Sequence, residues 1–376
     1  MDLPVFGDTP HIGRIVPSIL AALGVPAFHN TVDVPEVSGA CLLLIDGLGW
    51  ELLEAHPEDA PVLTSLARTP FQVGFPSTTV AGLAAYGTGL ATGEHGMTGY
   101  TFDLPGTGML NALRWRTHPE GVDLRQTLPA QEVQPLPTTF ARAAAAGVEA
   151  TVVSSAQFAG TPLTNAVQRG GRYVGVHALG DLAAAALRAV RGPRGFCYAY
   201  HADLDAMGHL YGPGSAEWRM QLRQVDRLVE SLADGLPPGG MLGVVADHGM
   251  VRLDGSVLDL EQAPHLLAGV RAVGGEVRAR HLYTSDGTAP DVVAAWREEV
   301  GSRAWVATRE EAIEAGWFGP TVSDRVRPRI GDVLVAAKGG FGMVRRLAEP
   351  RESALIGQHG SITSAEQLVP FAVAYG

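Results

Sequence analysis

The sequence predicts an α/β protein: a mostly parallel central sheet with helices on both faces, plus a small inserted α/β subdomain. Three observations predict it. Short, continuous apolar runs alternate with Ala-rich helical stretches along most of the chain. Three of those runs give way to a polar turn that holds an aspartate. From about Arg271 to Ala337 the rhythm changes to strand, helix, strand, helix.

Taken in order, Cys41–Ile45 is an uninterrupted apolar run entering Asp46-Gly-Leu-Gly, the pattern of a strand buried on both faces. An Ala- and Leu-rich helix begins near Thr79, where Pro76 ends an extended segment. A helical stretch over Phe140–Ala146 precedes a strand over Ala150–Ser154, and Gly195–Tyr200 is a further strand before a polar turn. Pro237–Gly240 reads as the turn before a strand over Met241–Ala246, which enters Asp247-His248-Gly249. The insertion takes helices over Asp291–Val300 and Arg309–Ala315. This divides the chain into a core of residues 1–270 and 338–376 and an inserted cap of residues 271–337, expected to roof a site. In open sheets ligands bind beyond the carboxyl ends of the strands, where Asp46, Asp205 and Asp247 all fall.

With 376 residues, 46% hydrophobic and 18% charged, the chain has ordinary globular composition and enough mass for a large core. Its net charge of -11 argues against a nucleic-acid polymer or an anionic membrane as partner, because both are bound through clustered Lys and Arg. An anionic substrate must then be attracted locally, by metal ions or a helix terminus. Cys41 and Cys197 each sit inside an apolar run and read as buried free thiols. The opening MDLPVFGDTPHIGR lacks a charged leader and Ile19–Leu23 is too short for a signal segment, so a cytoplasmic protein is expected.

Residue types that bind metals recur in widely separated segments. Asp205 and His209 are four residues apart, which places a carboxylate and an imidazole on one side of a helical turn. Asp247 and His248 follow a strand directly, and Gly249 permits the irregular turn that would let both reach a metal. His359 lies between Gln358 and Gly360, and Asp46 ends the first strand. Any one of these has a structural alternative, such as an N-cap for Asp46. Together they offer six nitrogen and oxygen donors with no thiolate, which suits two zinc ions, or manganese or iron, with three protein ligands each. Ser77, Thr78 and Thr79 offer three hydroxyls at a helix start, where partial positive charge favours an alkoxide and an incoming phosphate.

The segments LLLIDGLGW, FPSTTVAGLAAYGTGLATGEHGMTGY, DLDAMGHLYGP, VVADHGM and GQHGS, in this order, resemble the nucleotide pyrophosphatase and phosphodiesterase branch of the alkaline-phosphatase superfamily over nearly the whole chain. The resemblance implies an alkaline-phosphatase-like core and selects Thr79 as nucleophile, because Thr88-Gly89 and His95-Gly96 follow at the family's positions. It implies one metal on Asp205, His209 and His359, and a second on Asp46, Asp247 and His248 that Thr79 also reaches. The implied reaction is hydrolysis of a phosphodiester or phosphoanhydride in a small molecule through a covalent phosphothreonine. A phosphomonoesterase or phosphonate hydrolase on the same scaffold is the alternative. Where the branch carries a phosphate-binding Asn, this chain has Tyr100, whose phenol can still donate one hydrogen bond. Phe75, Tyr100 and Trp115 are the candidates for holding a flat substrate group.

Overall fold

The computed structural model describes residues 3–5, 7–192 and 194–376. In chain order its principal strands are β1 (Gly39–Ile45), β2 (Ala67–Gln72), β3 (Ala150–Ser155), β4 (Arg172–Val176), β5 (Gly195–His201) and β6 (Gly240–Val245). Then come β7 (Val270–Glu276), β8 (Ala279–Thr284), β9 (Ala304–Thr308), β10 (Val333–Ala337) and, at the end of the chain, β11 (Leu368–Tyr375). The central sheet runs β2-β11-β6-β1-β5-β3-β4. The five strands from β6 to β4 are mutually parallel, and β11 is antiparallel to both its neighbours. The α/β class and the mostly parallel sheet are therefore as the sequence predicts.

Every residue of β1 and β6 is buried, which is why these strands read as unbroken apolar runs and not as alternating ones. The helices that matter below are α1 (Thr79–Thr88), α2 (Leu179–Val190), α3 (Asp203–Tyr211), α4 (Ala216–Asp234), α5 (Ala289–Val300) and α6 (Arg309–Glu314). On α4 the buried positions Trp218, Leu222, Val225, Val229 and Leu232 recur at helical spacing, so one stripe faces the core while the rest is polar. Cys41 and Cys197 are buried free thiols, paired in register across β1 and β5. Among the described residues no helix is long and apolar enough to cross a membrane.

Strands β7 to β10 form a separate antiparallel sheet in the order β7-β8-β10-β9, with α5 and α6 between its strands in the chain. Leu282, Val292, Trp296, Val306 and Val335 give it a core of its own. A further apolar cluster joins it to the rest of the molecule, with Phe75 packed among Ala279, Trp317, Phe318, Leu334 and Ile362. Arg278, fully buried on the β7–β8 turn, also crosses this junction, its Nη2 2.7 Å and its Nε 3.1 Å from the Glu366 carboxylate.

Candidate active site

β1, β5 and β6 are adjacent and parallel, so their carboxyl ends lie side by side and deliver their following residues to one place. Asp46 follows β1, Asp247 and His248 follow β6, and α3, which begins just after β5, carries Asp205 and His209 on successive turns of one face. His359 arrives from a loop that is fastened to the segment before α1. Ser77 N–H donates to Gly360 O at 3.1 Å, Gly360 N–H donates to Ser77 Oγ at 3.1 Å, and Ser77 Oγ donates to Ser361 O at 2.8 Å. α1 is held at the end of β6 by Tyr86, whose hydroxyl donates to Ala246 O at 2.8 Å.

These elements bring the donors together. His248 Nε2 lies 3.2 Å from Asp46 Oδ1 and 3.9 Å from Asp247 Oδ2. His209 Nε2 lies 3.3 Å from Asp205 Oδ2, and His359 Nε2 3.9 Å from Asp205 Oδ1. The imidazoles of His248 and His359 stack with centroids 3.6 Å apart. Thr79, the first residue of α1, places Oγ 3.1 Å from His248 Nε2.

Of the three hydroxyls that the sequence leaves open, Ser77 is spent bracing the His359 loop. Thr79 is the one beside the donors.

The protonation pattern tests whether this cluster suits a cation. Each of the three imidazoles has its Nδ1 against a backbone carbonyl: His209 against Gly357 O at 2.7 Å, His248 against Gly249 O at 3.0 Å, His359 against Ser77 O at 2.8 Å. A carbonyl only accepts, so Nδ1 carries the hydrogen and the neutral ring presents a lone pair at Nε2, the tautomer a metal ligand needs. Those lone pairs face carboxylate oxygens. Asp46 Oδ1, Asp205 Oδ1 and Asp247 Oδ2 are sealed from solvent without a hydrogen-bond partner, an arrangement that is costly unless something positive sits among them. Burial pushes the Asp205 carboxyl up to about 6, opposed by His209 and reinforced by Asp46. Burial and then the Asp46 charge push Asp247 up as well. Burial alone would depress His248, but Asp247 and Asp46 outweigh it and raise the group to about 10. His359 is driven well down by burial, then by His248 and His209. Nitrogen and oxygen donors without thiolate fit zinc, manganese or iron.

Donor atoms within 4.8 Å of one another form two such groups here, Asp205-His209-His359 and Asp46-Asp205-His248. The first is the set the resemblance implies. In the second, Asp205 stands where Asp247 was expected; Asp205 belongs to both groups, and Asp247 to neither, although its Oδ2 lies 3.9 Å from His248 Nε2.

The expected substrate-holding residues do not gather beside Thr79. Phe75 is fully buried at the junction with the four-stranded sheet, 5.1 Å centroid to centroid from Trp317 and 5.5 Å from Phe318. Trp115 is buried too, its Nε1 donating to Leu128 O at 2.8 Å. The Tyr100 hydroxyl donates to Glu352 Oε1 at 2.8 Å. Apolar packing has claimed both rings, so neither Phe75 nor Trp115 has a face to offer a ligand.

The cavity at Thr79 is lined instead by Leu83, Phe158, Leu163, Val167, Tyr173 and Tyr200, none of which has a spacing that would have marked it in the sequence. Tyr200 also donates its hydroxyl to Asp46 Oδ2, leaving Oδ1 for the cluster. Glu276, at the end of β7 in the four-stranded sheet, brings a carboxylate towards Thr78. Its Oε1 is sealed and unpartnered, and burial raises it to about 8 against the opposing pull of His248 and a hydrogen bond with Thr78.

A mostly parallel sheet whose strand ends gather carboxylates, imidazoles and one helix-terminal hydroxyl defines an enzyme of the alkaline-phosphatase superfamily. The family model for type I phosphodiesterase / nucleotide pyrophosphatase matches residues 40–362. The chain belongs to that family of hydrolases. The fold is similar to murine ectonucleotide pyrophosphatase / phosphodiesterase 5, with a TM-score of 0.68 and 16% identity over 90% of this chain and 88% of that one. An inactive variant of the murine protein has been solved in complex with AMP. Phosphonoacetate hydrolase from Sinorhizobium meliloti, in complex with phosphonoacetate, is similar at a TM-score of 0.68 and 20% identity over 91% of each chain. No curated protein sequence matches the chain.

Proposed function

We propose that the protein is a two-metal hydrolase of small-molecule phosphodiesters or phosphoanhydrides, with Thr79 as nucleophile. One observation carries the reading: Thr79 Oγ stands 3.1 Å from His248 Nε2, at the positive end of a ten-residue helix and beside the buried donors. Asp46, Asp205, His209, Asp247, His248 and His359 would hold two zinc ions, or manganese or iron in their place. Bound metal supplies charge stabilisation at phosphoryl oxygens and lowers the pKa of a hydroxyl or water.

The chain's own residues do the rest. The start of α1 directs the backbone N–H groups of its first turn at an anionic phosphoryl group. Thr79 Oγ forms a bond to phosphorus as the bond to the leaving oxygen breaks in line. Water then cleaves the phosphothreonine from the vacated side, releasing phosphorylated product and restoring the hydroxyl. Two inversions leave the configuration at phosphorus unchanged. The carbonyls of Gly357, Gly249 and Ser77 fix the three imidazole tautomers throughout.

Metal analysis of the purified protein, combined with turnover of bis(p-nitrophenyl) phosphate, p-nitrophenyl phosphate and a phosphonate, tests this reading. The diester is expected to be the preferred substrate. A strong preference for the monoester or the phosphonate assigns the scaffold to the alternative activity.

A further inference from the structure

The short helix Thr92–His95 follows α1 in the chain and packs against residues 323–329, which lie between α6 and β10. Ser323 N–H donates to Gly93 O at 3.0 Å, Arg325 Nη2 to Glu94 O at 2.8 Å, and Arg329 Nη1 to Gly96 O at 2.8 Å. Arg329 Nη1 also donates to Val133 O at 2.8 Å, so one guanidinium ties three segments together. Gly96 is the left-handed cap of the short helix, with a φ of 79°. A β-carbon there would stand 2.9 Å from Arg325 Nη1 and 3.1 Å from Arg329 Nη1. Both guanidiniums therefore converge on one point, and the absent side chain leaves them the space.

Capping of the helix carbonyls accounts for part of this arrangement, since cations favour a helix C-terminus. It leaves the rest without a partner. Arg325 Nη1, Arg329 Nε, His95 Nε2 and Ser323 Oγ are all sealed from solvent with nothing to bond. Met97 N–H donates to His95 Nδ1 at 3.1 Å, so the neutral ring carries its hydrogen on Nε2. Burial, then His11 and the two arginines, keep that ring neutral, down at about 3. Three of the four orphaned atoms can then only donate, and the hydroxyl can donate as well.

Among the described residues no carboxylate acts on either guanidinium: burial lowers Arg325, and burial followed by Arg325 itself lowers Arg329 to about 10. Two like charges held together out of water without a counter-ion are costly. A water molecule accepts at most two of the orphaned hydrogens and brings two more into the cluster. An anion answers the hydrogens and the charge together.

We propose that this cluster binds one small inorganic anion of halide size, held by the hydrogens on Arg325 Nη1, Arg329 Nε and His95 Nε2. The seal around these atoms favours a single-atom ion over a phosphate or an organic acid. The site shares no residue with the donor cluster at Thr79. Its ion fastens the segment behind α1 to the stretch that leads into β10, so binding stabilises the fold.

Thermal unfolding of the metal-loaded protein, dialysed into sodium gluconate and then titrated with sodium chloride or bromide at one ionic strength, tests this. Halide rising from about 1 to about 100 mM is expected to raise the melting temperature by at least about 2 °C, saturably. Arg325→Gln, at a half-buried position, is expected to abolish that increment while retaining the metal. Crystals of the unmodified protein grown in bromide are expected to show an anomalous peak within hydrogen-bond reach of Arg325 Nη1 and His95 Nε2. Identical melting curves in halide and gluconate overturn the proposal. So does a halide increment that persists in Arg325→Gln, which then belongs to the metals or to the solvent. If that variant fails to fold, the bromide crystal decides: a peak between the arginines and His95 supports the site, and its absence, or a water in its place, overturns it.

Discussion

A β-carbon on Gly82 would lie 2.6 Å from the β-carbon of Asp247 and 2.8 Å from its carbonyl oxygen. The second turn of α1 therefore packs directly on the strand end that carries Asp247 and His248, and the absent side chain sets the distance from Thr79 to the donors. Gly82→Ala is expected to push α1 away, costing about 1–3 kcal/mol of stability by overpacking. Activity should fall at least tenfold, since small misplacements of a nucleophile are expensive. Thermal unfolding and kcat read the two effects; an unchanged kcat would detach the spacing of α1 from the chemistry.

Thr79→Ala removes the hydroxyl and its contact with His248 Nε2, and leaves the N-cap of α1, which is Thr78, in place. Turnover is expected to drop by on the order of 10³-fold or more, with metal content and melting temperature retained. Thr79→Ser should keep part of the activity. Substantial turnover in Thr79→Ala would move the nucleophile elsewhere.

Tyr200 donates to Asp46 Oδ2 and so aims the other oxygen at the cluster. Tyr200→Phe is expected to weaken metal binding by about 10–100-fold, the usual loss for an outer hydrogen bond to a ligand. A chelator-competition titration measures it. Equal affinity in the two proteins would show that packing alone orients Asp46.

The metal-free protein should carry a pH signature of Asp205, whose carboxyl is raised from 3.8 to about 6. A carboxyl raised by folding favours the folded state while protonated, fully so below about pH 4, and that contribution is lost as pH rises through 6. Metal-free Asp205→Asn is thus expected to overtake the metal-free parent in melting temperature above pH 6, with no difference attributable to this group below pH 4. Adding metal should reverse the order, since the variant lacks a ligand. Calorimetry with and without chelator across pH 4–8 checks both halves.

Arg278 and Glu366 form a buried ion pair, and Glu366 Oε1 also accepts from Ser361 N–H at 3.0 Å in the loop that carries His359. Glu366→Ala leaves a fully buried guanidinium without its partner, for an expected loss of about 3–5 kcal/mol. Denaturant unfolding measures this, and occupancy of the site containing His359 should fall with it.

Much of the site was legible because chemistry and punctuation coincide in the sequence. Asp46 and Asp247-His248 end apolar runs, and Asp205 and His209 share a helix face, so their types and spacings announce both donors and location. The cavity was not legible. Leu83, Phe158, Leu163, Val167 and Tyr173 are ordinary core-type residues from separate elements, and nothing local distinguishes a wall from a core. Phe75 and Trp115 show the converse: aromatic rings near the motif look available, yet packing buries them.

The sequence by itself determined which runs are buried strands, which polar residues stand at their ends, and which family pattern they match. Those properties follow from periodicity and residue type, and these are local. Tertiary structure alone decided that Ser77 is spent bracing the His359 loop while Thr79, which the family pattern already selects, stands beside the donors, that Asp205 belongs to both groups, that Glu276 arrives from β7, and that no described Arg, Lys or His lines the cavity. Each of these depends on distances between segments far apart in the chain, set by close packing such as Gly82 against Asp247, and no local pattern encodes such a distance.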